Sequence, residues 1–223
     1  MKKPVVDYRK FSFKKLNTPE FSHLKFLGGW IIYFALYFLT ENLIPMEKCH
    51  LVHNALDDKI PFLEGFLIFY VLWFALIVFS LLYYMLYDTT GFKQLSTYIM
   101  ITQLVAMLVY IIWPSYQNLR PSVMPRENFF TWILFNVIYK VDTPTGVCPS
   151  LHVAYSLGIL SVWLKNKNVG KLFKCCMTVL VILICLSVAF IKQHSTWDIL
   201  FAIPLGILAE IIVFKSPLAK KLK

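Results

Sequence analysis

Charged side chains are scarce in this chain. Asp, Glu, Lys and Arg together make up 15% of the 223 residues, against about 25% in a soluble domain. With 58% hydrophobic residues and a mean hydropathy of +0.65, that shortage excludes an ordinary soluble fold and points to an integral membrane protein. The five cysteines are odd in number and show no metal-ligand spacing, which argues against a zinc module or a disulfide framework. There is no internal repeat at a period of about 20–50 residues and no low-complexity segment, so a single domain is expected. No charged path runs through the apolar stretches, which disfavours an ion channel. There is no cleavable signal peptide pattern either, because residues 1–25 are polar and basic ahead of the first apolar run.

What the chain does have is apolar length. Six runs, at about 26–44, 63–86, 95–114, 149–165, 172–191 and 196–214, reach or approach the roughly 20 helical residues that cross a hydrocarbon core of about 30 Å. The expected fold is all-α and polytopic, with six transmembrane helices. Residues 1–25 would form a basic cytoplasmic arm lying at the headgroups, 26–214 the membrane domain, and 215–223 a basic cytoplasmic tail. With a cytoplasmic N-terminus and alternating spans, 16 of the 22 Lys and Arg fall on the cytoplasmic side, Lys2, Lys3 and Lys223 among them. The outer side keeps Lys48, Lys59, Arg120, Arg126, Lys140 and Lys192. This is the positive-inside bias, so the net charge of +10 reads as orientation and anionic-lipid contact rather than nucleic-acid binding. The lack of Asn-x-Ser/Thr sites and the Lys-rich ends fit a bacterial plasma membrane.

The longest connection, 114–148, lies on the outer side. Its apolar stretch 128–139 is too short to span and reads as an interfacial or re-entrant helix. The loop at 45–61 contains Cys49, His50 and His53, but nothing nearby completes a metal set, and His23, His50 and His53 are read as solvated. Arg126 and Lys140 read as rim charges or headgroup anchors. Cys49 and Cys148 share the outer side, which leaves a disulfide open.

The chemistry concentrates where a polar loop meets the fourth run, at Cys148-Pro149-Ser150-Leu151-His152. Pro149 suits the first position of a helix, and the following N–H groups of Ser150 and Leu151 would make an anion site with the helix dipole. Ser150 also admits a plainer role as a helix-start residue. Alternation brings Arg120 to the same outer face, and likewise Lys192, His194 and Asp198 at the turn into the last run. His194 and Asp198 are four apart, so on a helix they share a face, and a carboxylate there holds an imidazole in one tautomer. Ionisable groups at membrane depth are costly and tend to mark function.

Pro149-Ser150-x-His152, followed by His194-x-x-x-Asp198 and preceded by Arg120-Pro121, resembles the type 2 phosphatidic acid phosphatase superfamily over residues 63–214. The wording Pro-Ser-Leu-His and Lys-Gln-His is similar to its branch near the inositol phosphorylceramide synthases. The resemblance implies a metal-independent reaction without cofactor. His194 would be the nucleophile forming a phosphohistidine, Asp198 would orient it, and His152 would protonate the leaving alcohol. Arg120, Ser150 and the Leu151 N–H would hold the phosphate. The chain departs from the pattern at Trp113, where the family often has Lys, and at Val188, where it has Arg; Lys192 is positioned to replace that missing charge. The resulting expectation is an enzyme that hydrolyses a lipid phosphate, with phosphatidic acid, phosphatidylglycerol phosphate, a polyprenyl diphosphate or a sphingoid phosphate as candidate substrates. Its partners would be membrane lipids and that phosphorylated lipid, and its site would face the extracytoplasmic side. The alternatives are transfer of a phospho-headgroup to a lipid alcohol, as in inositol phosphorylceramide or sphingomyelin synthases, and a non-enzymatic lipid transporter or scaffold.

Overall fold

Apolar runs without internal backbone partners must close their own hydrogen bonds, and in this chain they do so as helices. The computed structural model describes residues 4–222, without the side chains of residues 39–43; Lys2, Lys3 and Lys223 lie outside the described residues. The long helices are α1 (Lys25–Leu43), α3 (Leu67–Tyr87), α4 (Thr89–Ile112), α7 (Leu151–Lys165), α8 (Lys171–Phe190) and α9 (Thr196–Lys215). Short helices are α2 (Ala55–Lys59), α5 (Phe129–Ile133), α6 (Tyr139–Val141) and α10 (Pro217–Leu222), with a π-helical turn, Leu134–Ile138, joining α5 to α6. The only regular strands among the described residues are β1 (His50–Leu51) and β2 (Ser115–Tyr116), paired in parallel. The fold is thus all-α. Among the described residues, four helices, those ending at Tyr87, Ile112, Phe190 and Lys215, are long and apolar enough to cross a membrane, and Phe129–Val141 and Leu151–Lys165 are shorter apolar segments. Large apolar side chains such as Phe74, Leu104, Ile182 and Phe201 stay exposed on their outward faces, as on a surface that meets hydrocarbon.

The shortest of the long helices, α7, sits at the centre, packed against α4, α8 and α9. Its buried residues run almost all the way round, from Val153 to Trp163, which is the pattern of an enclosed helix. Small residues let its neighbours approach: the Tyr98 ring lies against Gly158, and the Tyr98 hydroxyl donates to the Gly206 carbonyl at 2.9 Å. Trp163 is fully buried, its indole N–H on Ser80 Oγ at 2.9 Å. One end of the bundle gathers the loops before α3, after α4 and between α8 and α9. There His50 N–H bonds Pro114 O, Leu63 N–H bonds Phe190 O, and Ser150 N–H bonds Asp198 O. At the other end Lys165 pairs with Glu210 at 2.5 Å, stapling α7 to α9.

Two expectations change, those for the third apolar run and for His23, and the open question of a disulfide is answered. The third apolar run begins earlier than 95: Asp88 caps α4 by accepting the Gly91 N–H, which places Gly91 inside the helix. The five cysteines are free thiols, so Cys49 and Cys148 do not pair. The basic arm is folded onto the bundle, with Val5 N–H on Leu86 O at 2.8 Å and Phe21 fully buried. His23 is accordingly buried, not solvated. Tyr8 gives its hydroxyl proton to Met85 O, so its oxygen accepts from His23 Nε2 at 2.8 Å.

Burial, with Lys93 adding to it, holds the His23 pKa below its ordinary value. A base kept neutral in the fold leaves the unfolded chain with more bound protons once pH drops below about 6.5. The arm's contribution to stability is therefore complete above that value and declines as pH falls beneath it. The melting temperature in detergent should fall between pH 7 and pH 5, and a His23→Gln variant should show a shallower fall. Equal slopes would contradict this account.

Candidate active site

The turn Ile191–Ser195 between α8 and α9 carries the first imidazole. Lys192 takes a left-handed conformation at φ 58°, and both Gln193 N–H and His194 N–H return to Val188 O, at 2.9 and 3.0 Å. The chain then enters α9 through a capping box. Ser195 is the N-cap and Asp198 receives the Ser195 N–H on Oδ2 at 2.9 Å. The same oxygen lies 3.1 Å from His194 Nδ1. Thus the pair forms across the helix N-terminus, with His194 outside the helix, and not along one helical face as the four-residue spacing implied. An ionised Asp198 accepts a hydrogen bond from His194 Nδ1–H, which leaves Nε2 with its lone pair.

The second imidazole is on α7. Pro149 stands one residue before the N-cap, Ser150, so the helix opens at Leu151 and not at the proline; the Cys148–Pro149 peptide is cis. Tyr110 fixes this entry by donating to Pro149 O at 2.7 Å. Ser150 N–H is spent on Asp198 O at 3.0 Å and is not free for an anion. His152 is layered against Tyr70 (4.5 Å between ring centres) and Trp73 (4.0 Å), and its ring centre is 5.8 Å from that of His194. His152 Nε2 and Ser150 Oγ are buried and have no hydrogen-bond partner among the described residues. Buried polar atoms are normally paired, so these two are available to a ligand.

Both imidazoles open on a cavity of about 320 Å³ walled mainly by apolar and aromatic side chains, with Leu151 and Asp142 also on its surface. Neither expected cation lines it. Arg120 donates to Tyr139 O (3.1 Å) and Asp142 O (2.7 Å) and covers the Tyr139 ring, so it braces the 139–142 segment. Lys192 reaches away, its ammonium on Asp57 O (2.8 Å) and Ile60 O (2.6 Å), where the carbonyl end of α2 attracts a cation. Burial lowers the Lys192 pKa while Asp57 and Asp58 oppose the shift. Arg126 is an exposed partner of Glu64 at 3.3 Å, and Lys140 is exposed. His50 stacks on Trp113 and His53 pairs with Asp58 at 2.8 Å. Cys148 is a buried free thiol. Among the described residues no group of three or more His, Cys, Asp or Glu is arranged to hold a metal.

Sequence reasoning missed several contributors. Asp57 is one: the loop read as merely solvated is clamped to the His194 turn. Its buried carboxylate accepts Ser195 Oγ–H at 2.6 Å, Thr196 N–H at 2.8 Å and Asn54 N–H at 2.9 Å. Burial alone would raise the Asp57 pKa, but these hydrogen bonds outweigh it and lower the value. Asn54-x-x-Asp57 is itself a capping box, a legible helix start, but its docking partner was not legible. Asp142 is another, its carboxylate bonded by Tyr70 Oη–H and, at 2.9 Å, by Gln193 Nε2. Asp57→Ala strands the Ser195 and Thr196 donors and loosens the turn that aims His194. Misplacement of that order costs about 10- to 100-fold in kcat, with KM changed less. Unaltered kcat would remove Asp57 from the positioning apparatus.

No family model, curated protein or solved structure matches the chain. The functional reading therefore stands on the motif residues and their geometry.

Proposed function

We propose that the chain is a six-span membrane enzyme of the type 2 phosphatidic acid phosphatase kind, which cleaves a lipid phosphate ester at the outer leaflet through a phosphohistidine. The observation that carries this reading is the pair of imidazoles 5.8 Å apart, one held by Asp198 and one partnerless, on an apolar cavity. His194 Nε2 attacks phosphorus, the bond to the lipid oxygen breaks, and His152 gives that oxygen its proton. Water then attacks phosphorus as His152 takes its proton, and the P–N bond breaks. Ser150 Oγ and the first N–H groups of α7 meet the phosphate oxygens.

In this reading α1 and α7 complete the six spans. The 15 residues of α7 rise only about 22 Å. The buried segment 147–150 makes up the depth, which non-helical backbone does where protein encloses it. That recesses the site below the outer surface, with both termini and most Lys and Arg on the cytoplasmic side.

A second reading, transfer of the phospho-group to a lipid alcohol, is favoured by one feature. Phe34 and Phe38 of α1 line the cavity and are also exposed outward. A lipid-borne alcohol thereby reaches the phosphohistidine from the bilayer side as water reaches it from the loops. The test is product release from phosphorylated lipids by the purified protein in detergent, with and without an added alcohol acceptor. Lipid binding with no turnover of any lipid would contradict both readings and favour a transporter.

A further inference from the structure

The two imidazoles are not supported alike. His194 Nδ1 has a carboxylate oxygen, Asp198 Oδ2, at 3.1 Å. His152 has none: among the described residues no ion pair involves it, and its buried Nε2 has no hydrogen-bond partner. Yet a group that brings a proton to a departing oxygen must first carry that proton, and a protonated imidazole is a cation. A buried cation without a partner is costly. The surroundings of His152 have to favour the charged ring in some other way.

Those surroundings are aromatic. The Trp73 ring centre lies 4.0 Å from that of His152 with the planes 33° apart, and the Tyr70 ring centre 4.5 Å away with the planes 26° apart. Rings this close and this little tilted meet by their faces, where the aromatic quadrupole is negative and attracts a cation. Both aromatic rings are themselves fixed. They are buried, Trp73 stacks on Tyr155 at 5.7 Å and 11°, and Tyr70 gives its hydroxyl proton to the Asp142 carboxylate. That carboxylate polarises the phenol and enriches its ring, while Arg120, which donates to Asp142 O at 2.7 Å, works on the same pair in the opposite sense. Trp73 is the nearer ring and the stronger cation–π partner, so it carries the larger part.

Resting on the phosphohistidine reading above, we infer that Trp73 and Tyr70 are positioning residues for the same reaction, which steady His152 as an imidazolium by cation–π contact where His194 has a carboxylate. In the first step the bond from phosphorus to the lipid oxygen breaks, its electron pair stays on that oxygen, and the imidazolium proton moves there. His152 is left neutral. It then takes the proton of the water that attacks phosphorus as the P–N bond to His194 breaks, which returns the cation to the aromatic faces for the next turnover. The two rings touch neither phosphorus nor the moving proton. They act through His152 alone, so their removal should tell on the proton transfer and not on the attack by His194.

The experiment measures phosphate release by the full chain in an uncharged detergent from two kinds of monoester. Phosphatidic acid and a sphingoid phosphate have leaving alcohols that need a proton, whereas para-nitrophenyl phosphate loses a phenolate that does not. Trp73→Leu keeps apolar bulk without an aromatic face. It should lower kcat on the lipids by at least about tenfold, the size of one desolvated cation–π contact, with KM within about threefold of wild type. On para-nitrophenyl phosphate its loss should shrink to about threefold or less. Trp73→Phe, which restores a face, should recover at least about threefold of the lipid kcat over Trp73→Leu. Should Trp73→Leu fail to fold, Tyr70→Phe and Trp73→Phe carry the test, each with a loss of about threefold confined to the lipids. Equal losses on both kinds of ester, equal kcat for the Leu and Phe variants, or no loss at all overturns the assignment while a dead His194→Ala leaves the phosphohistidine reading intact. Undiminished turnover in His194→Ala, or cleavage of none of the three esters by wild type, removes both.

Discussion

Alanine at His194 is expected to lower turnover by at least about 10³-fold, the scale on which loss of a nucleophile acts when binding and its other helpers remain. The fold should survive the change. His194 sits in a turn fixed by main-chain bonds from Gln193 and His194 to Val188 O, and Asp198 keeps the Ser195 N–H when the imidazole goes. Melting temperature and elution volume should therefore stay close to wild type while product formation disappears. Asp198→Asn should cost less than His194→Ala, because an amide oxygen in the place of Oδ2 still accepts from Ser195 N–H and His194 Nδ1–H but brings no negative charge to the imidazole. His152→Ala should be rescued in part by substrates with a better leaving group, since its proposed role is to protonate the departing oxygen. His194→Ala should show no such rescue. That contrast separates nucleophile from acid without relying on the size of either loss.

The largest stability effect is expected at Gly158. A Cβ there would lie 2.2 Å from Tyr98 Cδ1 and 2.4 Å from Cε1. Tyr98 cannot retreat: it is buried, and its hydroxyl is tied to Gly206 O, where a Cβ would meet Tyr98 Oη at 2.9 Å. The two glycines let α7 and α9 close on one ring of α4, the close approach that small residues provide between membrane helices. Gly158→Val must push α7 away from α4, and α7 carries His152. The cost is about 3 kcal/mol, the upper part of the usual overpacking range, read as a lower melting temperature in detergent. Gly170→Ala is the control, since nothing lies within 4 Å of a Cβ at Gly170. Equal melting temperatures for Gly158→Val and Gly170→Ala would refute the packing account.

The features legible from sequence were those with a period or a fixed spacing. Helical runs announce themselves by apolar length, and the four long apolar helices fall where those runs do. Ser150, His152, His194 and Asp198 gather at one end because helices that reverse direction must bring alternate termini together. Long-range side-chain destinations were not legible. Lys192 has the right charge beside His194, but its left-handed backbone and the carbonyl end of α2 take the ammonium elsewhere. His23 reads as a tail residue until Tyr8 and Phe92 close around it. Tyr70 and Trp73 lie on the buried face of α3, with Leu76, Ser80 and Tyr84. Their spacing marks that face, but nothing in it says that His152 is what they cover.

The phosphohistidine is the claim on which the rest depends. Wild-type protein mixed with excess lipid substrate, quenched in base within a single turnover and digested for peptide mass spectrometry, should carry its phospho-adduct on the peptide containing His194. The adduct should be acid-labile and base-stable, and absent from His194→Ala. An adduct on His152 or on any other residue, or undiminished turnover in His194→Ala, would contradict the account.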